Sequence, residues 1–212
     1  YQSLAPLLPL HEPKPDPGPQ VDRATELQAM WGTARGQVWE VGKHRLMCGD
    51  ATSAADHVTL LDGQAVDLVL TDPPYGVGIQ YGDSVQDSVE SVRDALNVFM
   101  PLILQWPVTL LTSGHRMMWE YPRPDWLLIW VHPAGMGNGP WGFNCCHPIL
   151  AYGKDPYLAR GMGGRPDALV LAADRDGVEG HPVIKPLPVW KWLLERGSPA
   201  ASETVLDPFL GS

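Results

Sequence analysis

Positive charge is scarce in this chain. Its 15 Lys and Arg stand against 24 Asp and Glu, a net charge of −9. That balance weighs against a phosphate-rich partner, because phosphate contacts come from Lys and Arg, although a local basic face would be enough. Cysteine is scarce too. Cys48, Cys145 and Cys146 form an odd, small set with two adjacent, which suits reduced thiols in the cytoplasm and excludes a disulfide framework. Cys145-Cys146-His147 is too compact for a tetrahedral zinc site, so no metal is expected. No apolar run approaches the ~18 residues of a membrane span; the longest is Trp126 to Val131. The start of the chain lacks the basic and then apolar pattern of a secretory signal. No Gly-x-Gly-x-x-Gly follows an early strand, which removes the dehydrogenase class.

What is abundant is proline, glycine and aliphatic residue. Hydrophobic residues make up 44% of the 212 positions, enough for one globular domain with a sizeable core. Residues 1–35 read as an appendage: an extended arm carrying Pro6, Pro9, Pro13, Pro15, Pro17 and Pro19, then a short helix from Asp22 to Trp31 stopped by Gly32. Residues 36–212 read as the domain. Strands are expected at Leu46–Cys48, Asp67–Thr71, Val108–Thr112, Trp126–His132, Ile149–Tyr152 and Glu203–Leu206, with helices at Ala55–Leu61, Val89–Leu104 and Leu187–Glu195. This alternation predicts an α/β, Rossmann-like, mostly parallel sheet with helices on both faces and one antiparallel pair, 126–132 with 149–152.

Such sheets bind ligands at the carboxyl ends of their strands. Three polar motifs fall at expected strand ends: Gly49-Asp50, Asp72-Pro73-Pro74-Tyr75, and Asp207 to Ser212. The second carries the chemistry. An aromatic amine is a poor nucleophile until its nitrogen moves toward tetrahedral geometry, and acceptors on its two hydrogens favour that state. Asp72 supplies a carboxylate, and the carbonyl between the prolines supplies a second acceptor in a direction fixed by the restricted backbone. Tyr75 supplies a flat face for a base.

On these residues the chain resembles the DNA amino-methyltransferases, from about Trp39 to Ser212. Leu46-Met47-Cys48-Gly49-Asp50 is similar to the family's element before the catalytic strand. Asp72 to Tyr75 is similar to its catalytic motif, His181-Pro182-Val183-Ile184-Lys185-Pro186 to its His-Pro-x-x-Lys-Pro element, and Asp207-Pro208-Phe209-Leu210-Gly211-Ser212 to its cofactor loop. Catalytic motif first and cofactor loop last is the permuted, beta-type order. The stretch Trp39 to Arg45 resembles methylases that follow a ParB-like domain.

The resemblance implies an S-adenosylmethionine-dependent enzyme that acts on double-stranded DNA with the target base flipped out, as in restriction-modification. Asp72, Pro73, Pro74 and Tyr75 would bind the amine and base. Asp50, Lys185, Asp207, Pro208, Phe209, Gly211 and Ser212 would line the cofactor, with Lys185 on its carboxylate and Asp207 orienting the loop. The plain alternatives are a turn cap for Asp50, a solvated surface position for Lys185 and a strand exit for Asp207-Pro208. Asp72 points to adenine; cytosine-N4 methylation and a catalytically incomplete DNA-binding module are the alternatives. Residues 154–180 are the candidate recognition region, with Arg160 and Arg165 toward phosphates; His115 and Arg116 are further DNA candidates. Trp141 and Phe143, set between glycines, could stack on cofactor or base. A homodimer is compatible with the family. Its cofactor loop continues past Ser212 into a helix, a strand and a ribose-binding acid, so a longer native protein is expected.

Overall fold

The computed structural model describes residues 23–78, 80–81, 85–86, 88–135, 137–172, 185–198, 200 and 202–210. The proline arm, His181 to Ile184 of the His-Pro-x-x-Lys-Pro element, and Gly211 and Ser212 lie outside them.

Helix α1 (Ala24–Trp31) is closed by Gly32 at φ 61°, as the sequence suggests. Then β1 (Val38–Val41) and β2 (His44–Met47) form an antiparallel ribbon. Helix α2 (Ala54–Leu61) starts on Ser53, whose side chain accepts from the Asp56 N–H. Strand β3 (Leu68–Thr71) follows, then a minor ribbon of β4 (Gln80–Tyr81) and β5 (Val85–Gln86). Next come α3 (Val89–Ile103), β6 (Val108–Thr112), the single turn α4 (Gly114–Met117) and β7 (Trp126–Val131). A hairpin of β8 (Asn138–Gly139) and β9 (Gly142–Phe143) leads into β10 (Cys146–Gly153). The chain continues through α5 (Pro156–Ala159), β11 (Ala168–Val170), α6 (Leu187–Gly197) and β12 (Val205–Leu206).

Six strands make the main sheet, in the order β11-β7-β10-β6-β3-β12. All run the same way except β10, which is antiparallel to both its neighbours. This is the expected Rossmann-like α/β sheet with one reversed strand. Side chains alternate between its faces because a strand has period two. Val69, Leu111 and Leu150 point to the face covered by α3, where Phe99 and Ile103 are buried. Leu68, Leu70, Leu110 and Ile149 point to the other face, covered by Val189 and Leu193 of α6. Each such side chain, fully buried, stabilises the fold by about 1.5–3 kcal/mol. Gly197 lets α6 close on the sheet: a Cβ there would lie 2.5 Å from Leu68.

Two expectations are corrected. First, Leu46–Cys48 is not a strand of the main sheet. β2 pairs only with β1, so Asp50 does not sit at the carboxyl end of a sheet strand. Second, 154–180 supplies a strand beyond those expected. It holds α5 and a sixth sheet strand, β11, parallel to β7. Its apolar run Ala168-Leu169-Val170-Leu171 was the available signal, obscured by the Gly-Arg stretch before it. Among the described residues, no helix is long and apolar enough to cross a membrane and no three His, Cys, Asp or Glu side chains gather as for a metal ion.

Candidate active site

The strand order decides what meets. β3 lies between β6 and β12, all parallel, so Asp72, Thr112 and Asp207 leave the sheet side by side at one end. β10 runs the other way, so its beginning reaches that end too and carries His147 there.

Asp72 is the centre. Its Oδ1 accepts from the Tyr75 hydroxyl at 2.5 Å and from the Thr112 hydroxyl, and its Oδ2 accepts from Lys185 Nζ at 2.5 Å. A carboxylate offers about four lone-pair sites; among the described residues three are taken, and the remaining one is on Oδ2. Burial would raise the Asp72 carboxyl. The Lys185 ammonium and the hydrogen bonds from Lys185, Thr112 and Tyr75 outweigh it and hold the group below its ordinary value. Asp72 is therefore ionised at neutral pH. Burial pulls the Lys185 ammonium down, and the charge of Asp72 opposes that.

Tyr75 gives its proton to Asp72, so its oxygen is left to accept from His147 Nε2 at 3.0 Å. This assigns the Nε2–H tautomer to His147. Burial, helped by the Lys185 charge, pushes His147 down to about 3, so the ring is neutral. Burial and then the Asp72 charge raise the Tyr75 hydroxyl well above its ordinary value. Gly114 starts α4 at φ 64°, a left-handed conformation that favours glycine, against the face of the Tyr75 ring.

Asp207 holds the neighbouring loop. Its Oδ1 accepts from the fully buried Thr71 hydroxyl at 2.6 Å and from the Phe209 N–H at 3.0 Å. Burial raises its carboxyl, against those bonds. The Phe209 ring meets Phe99 edge-on at 4.9 Å, pinning the loop to α3. Asp207, Pro208 and Phe209 line one wall of a cleft of about 1080 Å³; Asp50 and the β1–β2 ribbon line the other. The Asp50 carboxylate accepts from the Thr52 N–H and hydroxyl and from Arg35. It thus caps its own turn while facing the cleft.

Three other site residues stand differently from the sequence reading. Lys185 is neither solvated nor turned to the cleft: its side chain is 3% exposed, paired with Asp72, 4.9 Å from the Tyr75 ring centroid and 5.9 Å from that of Trp190. Arg160 and Arg165 lie at the opposite end of the sheet. Arg160 pairs with Glu203, just before β12, at 2.6 Å. Arg165 pairs with Asp155 at 2.8 Å, donates to the carbonyls of Glu195 and Arg196, and stacks on Tyr157 at 4.4 Å. Both are structural braces far from Asp72. His115 and the exposed Arg116, in α4, do sit at the site's end; His115 Nε2 is 3.4 Å from Cys146 Sγ.

The sequence reading missed Thr112, His147, Gly114 and Thr71. Polar residues at the last position of a buried strand (Thr71, Thr112) were a usable sign. Sequence alone offers His147 only as a metal ligand, because its place at the head of a reversed strand shows only in three dimensions.

No family model and no curated protein matches the chain in sequence. Solved structures do match its fold. The M1.HpyAVI–SAM complex is 17% identical over 76% of this chain and 80% of that chain, with a TM-score of 0.50. A second M1.HpyAVI structure is 16% identical over 76% and 79% (TM-score 0.48). The PvuII DNA methyltransferase (cytosine-N4-specific) is 12% identical over 71% of each chain (TM-score 0.48). At 17% identity the first likeness is one of fold, and it agrees with the sheet described above.

Proposed function

We propose that this chain is an S-adenosylmethionine-dependent methyltransferase that methylates the exocyclic amino group of adenine in DNA. The observation that carries this is Asp72-Pro73-Pro74-Tyr75 at the carboxyl end of β3, between β6 and β12, with Asp72 ionised and keeping one acceptor site among the described residues. That site and the Pro73 carbonyl are two acceptors for the two hydrogens of one amino group. Held by both, the nitrogen turns its lone pair out of the ring plane and away from the acceptors. This alignment, more than general-base strength, is what the site offers.

The cleft that Asp207 lines, one strand over from Asp72, suits the methyl donor. Its size exceeds what a nucleoside-sized ligand requires, and it offers the Asp50 and Asp207 carboxylates with the flat surfaces of Pro208 and Phe209. When bound, S-adenosylmethionine supplies a methyl group already activated by the sulfonium. Asp207 and Thr71 fix the loop beside the acceptor pocket, so the walls of the two sites are joined by one hydrogen bond. Lys185 keeps Asp72 charged and thereby an acceptor. The proton released by the amine leaves from the free side of Asp72 Oδ2 to solvent, since Oδ1 already takes two hydroxyls.

The choice of base rests on Asp72, which resembles the adenine-directed form of the motif. The test is methyl transfer from labelled S-adenosylmethionine to unmethylated DNA, followed by nucleoside analysis. N6-methyladenine is expected. N4-methylcytosine would overturn the base and keep the reaction; absence of transfer by a folded, cofactor-binding chain would overturn the reaction.

A further inference from the structure

The β8–β9 hairpin has no part in the site as described. It rises between β7 and β10 at the catalytic end of the sheet. Its base is fixed: the His132 N–H donates to Cys145 O at 2.7 Å and the Asn144 N–H to Gly137 O at 2.8 Å. Its pairing, Gly139 with Gly142, leaves Pro140-Trp141 as a two-residue tip. Trp141 is 100% exposed and Phe143, one pair below, is 77% exposed. Two large aromatic side chains thus stand in water within three residues of one ribbon, the kind of exposed apolar patch that marks an interaction site.

Charge says what kind of partner. The chain holds 24 acidic residues, yet none lies between Asp125 and Asp155. The hairpin and the strands that carry it are therefore free of carboxylates in an acidic protein, and a polyanion can approach here. Exposed Arg116 flanks the hairpin base through α4, which His115 links to Cys146. Reach says how deep. From Cys145 to Trp141 the ribbon spans four residues, roughly 13 Å at strand rise. DNA grooves are about 8 Å deep, so the tip reaches the stacked bases. The hairpin base is also close to the reacting pocket: His147, two residues past Cys145, touches Tyr75.

We propose that the β8–β9 hairpin is a wedge for duplex DNA, with Trp141 entering the base stack in the place vacated by the nucleotide drawn to Asp72. The proposal rests on the methyltransferase reading for its target base. A flipped base leaves a gap whose neighbours lose their stacking, and an aromatic ring restores it without regard to sequence.

The test compares wild type with Trp141→Ala and Trp141→Phe on the same mixed-sequence unmethylated DNA, double-stranded and heat-denatured. Because Trp141 touches solvent alone, both variants fold. On duplex DNA, Trp141→Ala is expected to lose about tenfold in methyl transfer, while on single strands it stays within about twofold, since no stack has to be opened. Trp141→Phe keeps most duplex activity. Equal loss on both forms, or no loss on duplex, overturns the wedge. A second measurement is independent of catalysis: fluorescence anisotropy with a duplex bearing one abasic site and the same duplex intact. The wild type prefers the abasic duplex and Trp141→Ala does not; no preference in the wild type overturns the proposal. If the wild type methylates neither form, the methyltransferase reading fails, and the abasic preference alone decides the hairpin.

Discussion

The two ends of the sheet each hold a knot of charge, and the knots are built from the same chemistry. At one end Asp72 takes Lys185, Tyr75 and Thr112, with His147 behind. At the other Asp155 takes Arg165, with Arg196 at 3.7 Å. They differ in their remaining partners. Asp155 also accepts from the N–H groups of Tyr157 and Leu158, and the two arginines donate to the carbonyls of Arg165, Pro166, Glu195 and Arg196. The backbone fixes every one of those positions. Around Asp72 the partners are side chains, which can rotate, and one acceptor position stays open. Backbone ties on every side make Asp155 a brace; side-chain ties and an open acceptor position leave Asp72 able to take a ligand.

The sharpest way to break this contrast is Asp72→Ala. Methyl transfer is expected to fall by about a hundredfold or more, as when a preorganised polar partner of the reacting group is removed. Calorimetry should still show cofactor binding by Asp72→Ala; retained transfer would end the role given to Asp72. Arg165→Ala should do the reverse. It leaves a half-buried Asp155 with fewer partners and costs about 2 kcal/mol, below the range for fully buried pairs because both side chains are partly exposed. Thermal unfolding should then shift down by roughly 4–8 °C, with transfer per folded molecule unchanged.

Lys185→Gln tests the electrostatics. Asp72 is depressed by Lys185, so in the wild type it protonates below the ordinary carboxylate range, and activity is lost only as pH falls through that value. Without the ammonium two of the influences that lower Asp72 are gone, so its carboxyl rises relative to the wild type. The acid limb of the pH–rate profile should therefore move to higher pH; a profile that keeps its position would refute the pairing. Thr112→Val is the mildest change. It removes one of two donors on Oδ1 while keeping the shape of a side chain 1% exposed, and a loss of about 1 kcal/mol in stability or transition-state binding is expected, read as a few-fold fall in rate.

Much of the first knot was legible in the sequence and almost none of the second. Asp72 to Tyr75 and Asp207 to Phe209 are contiguous runs at ends of apolar strands, so local pattern placed them. The order of β3 and β12 as parallel neighbours is what brings them together, and the alternation of strands and helices implied such a sheet. The Arg165 brace depends on α5, β11 and the end of α6 converging, which no spacing reveals; the sequence points Arg165 toward phosphates instead. The pairing of Lys185 with Asp72, 113 residues away, is invisible to local reasoning. Asp50 lines the cleft without ending a strand of the main sheet, since β2 turns back on β1.

The Thr71–Asp207 hydrogen bond spans 136 residues. Contacts this distant in sequence close late and slow the search for the native state. A nascent chain can assemble α2, α3 and the centre of the sheet while Asp72 still lacks the partner of its neighbour Thr71. Strand β12 is thus a timing element: synthesis must pass Asp207 before the hydrogen bond that joins the acceptor pocket to the cleft can form.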